Sequence, residues 1–178
     1  MKKIYAKAKK IKLLILDVDG VLTDGRLFYS EQGEVTLGFH IHDGLGIDLL
    51  HRAGIDTAII SGRKAGAVEK RAEQLKIRHV YLGCAQKAIV YKELREKLQL
   101  TDEQIAYVGD DWIDIPAMRQ VGLKIAVANA MPEVKDIADW KTPKNGGKGA
   151  VRDVCELLLK AQDQYDGLLA SYFQDVTL

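Results

Sequence analysis

The sequence predicts an α/β protein built as a Rossmann-like, doubly wound parallel sheet. Three observations carry this: short apolar runs recur along the chain, helical patterns separate them, and charged or hydroxyl residues stand directly after several of the runs. Near-continuous apolar runs suit strands covered on both faces, and alternation of strand and helix lays such strands parallel through right-handed crossovers. At 178 residues the chain is expected to form one domain, 1–178, with a sizeable core.

The elements follow in order. The opening MKKIYAKAKKIK places six lysines before residue 13. The apolar stretch behind them is too short for a signal core or a membrane span, so the lysines are expected to be solvated residues leading into a first strand, LLILDV (13–18). RLFYSEQGEVTLGFH, about 26–40, breaks the rhythm. Polar turn residues around Gly33 flanked by aromatic and β-branched residues read as an inserted β-hairpin. Then come a helical pattern at 45–53 closed by Gly54, strand IDTAIIS (55–61), a helix over 66–76 and strand HVYLG (79–83). A helix over 87–98, strand IAYVGD (105–110), a helix near 114–121 closed by Gly122 and strand KIAVAN (124–129) complete the alternation. Val151, Val154, Leu157, Leu158 and Ala161 recur at helical spacing in a last helix of about 149–162. The tail, about 163–178, carries Leu168, Leu169, Tyr172 and Phe173, and either extends this helix or docks on a neighbouring subunit.

With 26 basic and 25 acidic residues and a net charge of +1, no global field holds the protein on nucleic acid or an anionic membrane. A small-molecule partner is expected instead. Cys84 and Cys155 form no metal-type cluster and read as reduced thiols of a cytoplasmic protein.

In open α/β sheets, ligands bind beyond the carboxyl ends of the strands. Asp17 and Asp19 follow the first run, Ser61-Gly62-Arg63 the second, and Asp110, Asp111 and Asp114 the fourth, while Lys87 opens the helix after the third. Some of these residue types are ordinary: Asp24-Gly25 alone is a turn. Asp17 is different, because an unpaired carboxylate ending a buried strand costs stability. Carboxylates gathered on one rim repel in a low-dielectric cleft unless a cation neutralises them. An oxygen-only set, without His or Cys, suits a hard ion such as Mg2+. A serine hydroxyl and a lysine ammonium beside that ion make a site for a dianionic phosphoryl group. Lys87 is the better lysine, since Lys92 lies about 140° further round the helix axis and is expected to face solvent.

Asp17-Val18-Asp19-Gly20, Ser61, Lys87 and Gly109-Asp110-Asp111-x-x-Asp114 resemble the four motifs of the haloacid dehalogenase-like phosphotransferases, in order and on the expected elements. The resemblance implies that Asp17 is the nucleophile, forming an aspartyl phosphate, and that Asp19 protonates the leaving alcohol and then activates water. It implies Mg2+ held by Asp17, the Asp19 backbone carbonyl and Asp110, with Asp111 or Asp114 orienting that set, and phosphoryl oxygens held by Ser61 and Lys87. A signalling receiver domain gathers similar groups, but in the reverse strand order and without a second carboxylate two residues beyond the phosphorylated one. Asp19 therefore favours turnover over stored phosphorylation.

The gaps between the motifs leave no room for a cap domain. An open site must exclude water by other means, and the hairpin residues Leu27, Tyr29, Val35, Leu37 and Phe39 are expected to present apolar surface that neighbouring subunits cover. From KAKKIKLLILDVDGVLTDG through HIHDGLGIDLL, SGRKAGAVEKRAEQL and GDDWIDIPAM to NGGKGAVRDVCELLL, the chain resembles the capless, homotetrameric branch of the family. That branch acts on a phosphorylated eight-carbon sugar acid in lipopolysaccharide synthesis. Arg63 and Arg71 coincide with its sugar-acid-binding positions, and Lys148, in the loop Gly146-Gly147-Lys148-Gly149, is a further candidate for substrate contact. Phosphatases of nine-carbon sialic acids share the motifs, so the sequence leaves substrate length open.

Overall fold

The computed structural model describes residues 1–174; the end of the predicted tail, 175–178, lies outside the described residues. Six parallel strands form the sheet: β1 (Leu13–Leu16), β4 (Asp56–Ile60), β5 (His79–Tyr81), β6 (Ile105–Gly109), β7 (Leu123–Ala126) and β8 (Trp140–Lys141), in the order β5-β4-β1-β6-β7-β8. The missing numbers belong to the hairpin, β2 (Phe28–Tyr29) and β3 (Val35–Thr36), a separate antiparallel pair. All four residues of β1 are fully buried because the strand is central and covered on both faces. Burying such a Leu or Ile side chain stabilises the fold by about 1.5–3 kcal/mol.

From β1 the chain passes to β4 and β5 on one side, then returns to β6, β7 and β8 on the other. The connections reverse direction between β1 and β6, which opens a crevice at their carboxyl ends. The register pairs Leu16 with both Ile59 and Val108, so the residues that follow β1, β4 and β6 emerge side by side.

The helices are α1 (Lys2–Ala8), α2 (Ile41–Arg52), α3 (Gly66–Gln74), α4 (Lys87–Lys97), α5 (Ile115–Met118), α6 (Pro132–Ile137), α7 (Ala150–Ala161) and α8 (Tyr165–Gln174). Helices α2 and α7 pack against each other: a Cβ on Gly46 would come within 3.1 Å of Cys155 Sγ, so glycine sets their approach. Buried residues of α4 are Lys87, Tyr91 and Leu94, one stripe at i, i+4 and i+7. Lys87 is thus the polar member of a core-facing stripe, while Lys92 is exposed.

Four expectations need correction. The lysine-rich start is a helix, because Ala8 is buried and Gln162 Nε2 donates to the Ala8 and Ile11 carbonyls at 3.1 and 2.8 Å. The 114–121 helix is shorter, a turn at Trp112–Asp114 followed by α5. In the hairpin Leu37 is buried and Leu27, Val35 and Phe39 are half-buried, whereas Phe28 (56% exposed) and Tyr29 (65%) face solvent. The tail does not extend α7: it turns at 162–164, where Asp163 takes φ +59°, and forms α8. Both cysteines are free, and no helix among the described residues is long and apolar enough to cross a membrane.

Candidate active site

Every group that the sequence placed after a strand end reaches one rim. Asp17 follows β1, and its backbone N–H donates to Val108 O at 3.1 Å, which aligns it with β6. Lys87, at the first position of α4, places its Nζ 2.7 Å from Asp17 Oδ1 and 2.7 Å from Asp114 Oδ1. All three side chains are buried, with 0%, 5% and 0% exposure for Lys87, Asp17 and Asp114. Buried charges persist only when paired and hydrogen-bonded, and this triad meets that condition.

Asp114 is the organising residue. Its Oδ1 accepts from Lys87 and from the Tyr107 hydroxyl at 2.9 Å, and its Oδ2 accepts from the backbone N–H groups of Asp110 at 3.0 Å and Asp111 at 3.4 Å. Both oxygens are occupied, which leaves Asp114 bracing Lys87 and the 110–111 backbone. Asp111, exposed at the cleft wall, caps the following turn by accepting the Trp112 N–H at 2.7 Å. Tyr107 escaped notice in the sequence; the only signal was a phenol inside an aliphatic strand, where its hydroxyl needs a partner.

Asp110 stands opposite. Its Oδ1 is buried without a hydrogen-bond partner, and oxygens of Asp17, Asp110 and Asp114 converge within 4.8 Å of one another. Gly20 makes the approach possible: it holds φ +89°, and a Cβ there would lie 2.1 Å from Asp110 Oδ2. Burial first, then repulsion from Asp114 and despite Lys87, pushes Asp17 up to about 7. Burial, then the Asp17 and Asp114 charges, pushes Asp110 up to about 8. For Lys87, burial acts to lower the pKa, but the Asp17 and Asp114 charges outweigh it and the pKa rises. An orphaned carboxylate oxygen in a cradle of raised-pKa acids is what a hard divalent cation would relieve.

Ser61 is buried at the end of β4, and its hydroxyl accepts the Arg63 backbone N–H at 3.2 Å. Arg63 Nε donates to Asp19 Oδ2 at 2.8 Å. Asp17, Asp19, Gly62, Arg63, Asp110, Asp111 and Ile113 line a cleft of about 440 Å3. Ile113, which the sequence reading passed over, supplies its apolar wall.

The glycine-rich loop braces the loop that follows β1. Gly147 N–H donates to Val21 O at 3.0 Å, and Gly146 N–H donates to Asn129 Oδ1 at 2.7 Å. A Cβ at Gly146 would stand 1.7 Å from the Gly20 carbonyl oxygen, so only glycine fits. Lys148 Nζ sits 3.6 Å from Asp24 Oδ2, and neither residue lines the cleft. Arg71 is not brought to the cleft. Its guanidinium lies 5.8 Å from the Phe39 ring centroid, donates to Gln74 Oε1 at 2.8 Å and lines a separate groove along α3.

A parallel sheet with acids, a serine and a lysine at its strand ends in this order fits the haloacid dehalogenase-like hydrolases, and the sequence model of that family matches residues 79–154. The 3-deoxy-D-manno-octulosonate 8-phosphate phosphatase of Yersinia pestis is 48% identical over 164 residues, covering 92% of this chain and 88% of the relative. That of Escherichia coli strain K12 is 50% identical over 163 residues, 92% of this chain and 87% of the relative. A crystal structure of the Moraxella catarrhalis phosphatase of the same name, in complex with magnesium, phosphate and KDO, superposes with a TM-score of 0.95 at 43% identity, over 97% of this chain and 99% of that one. The chain belongs to the family of 3-deoxy-D-manno-octulosonate 8-phosphate phosphatases.

Proposed function

We propose that this chain hydrolyses 3-deoxy-D-manno-octulosonate 8-phosphate to the free sugar acid and inorganic phosphate, a step of lipopolysaccharide synthesis. One observation carries the chemistry: a carboxylate, Asp17, ends the central strand of the sheet with a buried lysine 2.7 Å away and a second, orphaned carboxylate facing it. The similarity to phosphatases named for this substrate carries the choice of sugar acid.

In the proposed reaction the Asp17 carboxylate attacks phosphorus, forming an O–P bond as the P–O bond to the sugar breaks. Asp19 gives its proton to the departing oxygen. Water then attacks the aspartyl phosphate, loses a proton to Asp19, and the bond to Asp17 breaks, restoring both residues. Lys87 and Ser61 hold phosphoryl oxygens, and Asp114 keeps Lys87 in place. Mg2+ fits the cradle between Asp17 and Asp110, completed by the Asp19 backbone carbonyl, and when bound it offsets the charge of the phosphoryl group. Arg63, in the cleft, is the group for the sugar carboxylate, while Lys148 would act at the entrance; Arg71 would serve only a substrate reaching the α3 groove.

We place the enzyme in the cytoplasm, which suits its two free thiols. We also propose a homotetramer, in which neighbours cover the exposed Phe28 and Tyr29 of the hairpin. Sedimentation showing a monomer at working concentration would reject that assembly.

The deciding experiment is phosphate release with Mg2+ from 3-deoxy-D-manno-octulosonate 8-phosphate, sialate 9-phosphate and hexose 6-phosphates, with Asp17→Asn as control. Preference for the eight-carbon acid, lost in the variant, is expected. Preference for the nine-carbon acid would overturn the substrate, and appreciable turnover by Asp17→Asn would overturn the nucleophile.

A further inference from the structure

Arg63 and Asp19 are bound to each other. The guanidinium Nε donates to Asp19 Oδ2 at 2.8 Å, and both side chains line the cleft. Asp19 Oδ1 is buried with no partner, so Arg63 provides the only side-chain hydrogen bond to this carboxylate among the described residues. One residue is the proposed proton carrier for the leaving oxygen, the other the proposed reader of the substrate's acid group. They hold each other before any substrate arrives.

A guanidinium engages a carboxylate through a planar fork of donors, and an incoming carboxylate competes for the same donors. The pair is open to such exchange, with side-chain exposures of 36% for Arg63 and 29% for Asp19. The Lys87 pairs, at 0–5%, are sealed from it. Tyr29 of the hairpin neighbours the same guanidinium.

We propose that Arg63 is a positioning residue that makes catalysis conditional on an acid group: it restrains Asp19 until a substrate carboxylate takes the guanidinium and frees Asp19 to turn to the leaving oxygen. The proposal rests on the phosphatase reading above. Its consequence is that phosphates without a carboxylate are rejected in kcat and not only in binding, because they leave the proton carrier tied back.

The test is Arg63→Gln, assayed with saturating Mg2+ on 3-deoxy-D-manno-octulosonate 8-phosphate and on glucose 6-phosphate, with kcat and KM separated. The two substrates move in opposite directions. For the sugar-acid phosphate kcat/KM falls by about 10-fold or more, through loss of the fork. For glucose 6-phosphate kcat rises by about 3-fold or more, a fraction of what general acid catalysis supplies. The gain disappears when Asp19→Asn is added, and Arg63→Lys, which keeps the charge without the fork, lies between wild type and Arg63→Gln. An unchanged or lower kcat for glucose 6-phosphate in Arg63→Gln would overturn the proposal, and so would a gain that survives Asp19→Asn. Failure of the substrate assignment shows separately, as wild-type enzyme without preference for the sugar acid.

Discussion

Replacing Lys87 by Met tests the triad at the centre of the site. Met keeps length and apolar volume, so the change removes a charge with little loss of packing. Asp17 and Asp114, both 2.7 Å from Lys87 Nζ and at most 5% exposed, are left as uncompensated buried carboxylates. Breaking a buried pair from one side costs about 3–5 kcal/mol. For a chain of this size each kcal/mol moves Tm by about 2–4 °C, so thermal unfolding in a metal-free, chelator-treated buffer at pH 7.5 should fall by about 6–20 °C. A double-mutant cycle with Asp114→Asn then isolates the pair. The double variant should be less destabilised than the sum of the singles by about 1–3 kcal/mol. A Tm within about 2 °C of wild type for Lys87→Met, or additive singles, would refute the claim that these charges hold one another.

Three further outcomes follow from the same geometry. Asp110→Asn removes the acid pushed up to about 8 and should raise the metal-free stability at pH 7 by about 2 kcal/mol, below the full linkage because the rim is partly open, while abolishing the Tm gain on adding Mg2+. Asp17 and Asp110 are both raised from 3.8 to about 7 and 8, so the folded state holds protons that the unfolded state has lost. Metal-free stability should therefore fall as pH rises from about 4 to 8, and Mg2+ should raise Tm more at pH 8 than at pH 5, as calorimetry across that range would show. Gly146→Ala forces the loop after β1, with its Gly20 carbonyl, out of place and should lower kcat on the order of 100-fold, read by phosphate release.

The strands were legible because central parallel strands are buried on both faces, and LLIL or IAYVG can be little else. Asp17, Ser61 and Asp110 were legible for the same reason, standing where a buried run ends. Lys87 was legible as a cation at a helix start, but its place on the core-facing stripe with Tyr91 and Leu94 is a property of α4 packed against the sheet. What the sequence hid depends on partners distant in the chain. The first helix needs Gln162 to bind its carbonyl end, and Asp114 is defined by donors from three segments, of which Tyr107 gives no sign in a linear reading. The hairpin misled because Leu37 reaches the core while Phe28, its more outward neighbour, does not. Arg71, a substrate contact by resemblance, sits on α3 beside Phe39, a place that no linear pattern indicates.

The hairpin also bears on how such an enzyme changes over time. Its two-residue strands pair only with each other, while the acids and the lysine are fixed by the six-stranded sheet. Mutations at its exposed residues, Phe28 and Tyr29 among them, can thus change the outer surface while the groups at the strand ends stay in place. A randomised library confined to those exposed positions is the natural route to new substrate ranges, and lineages of such enzymes should diversify there first.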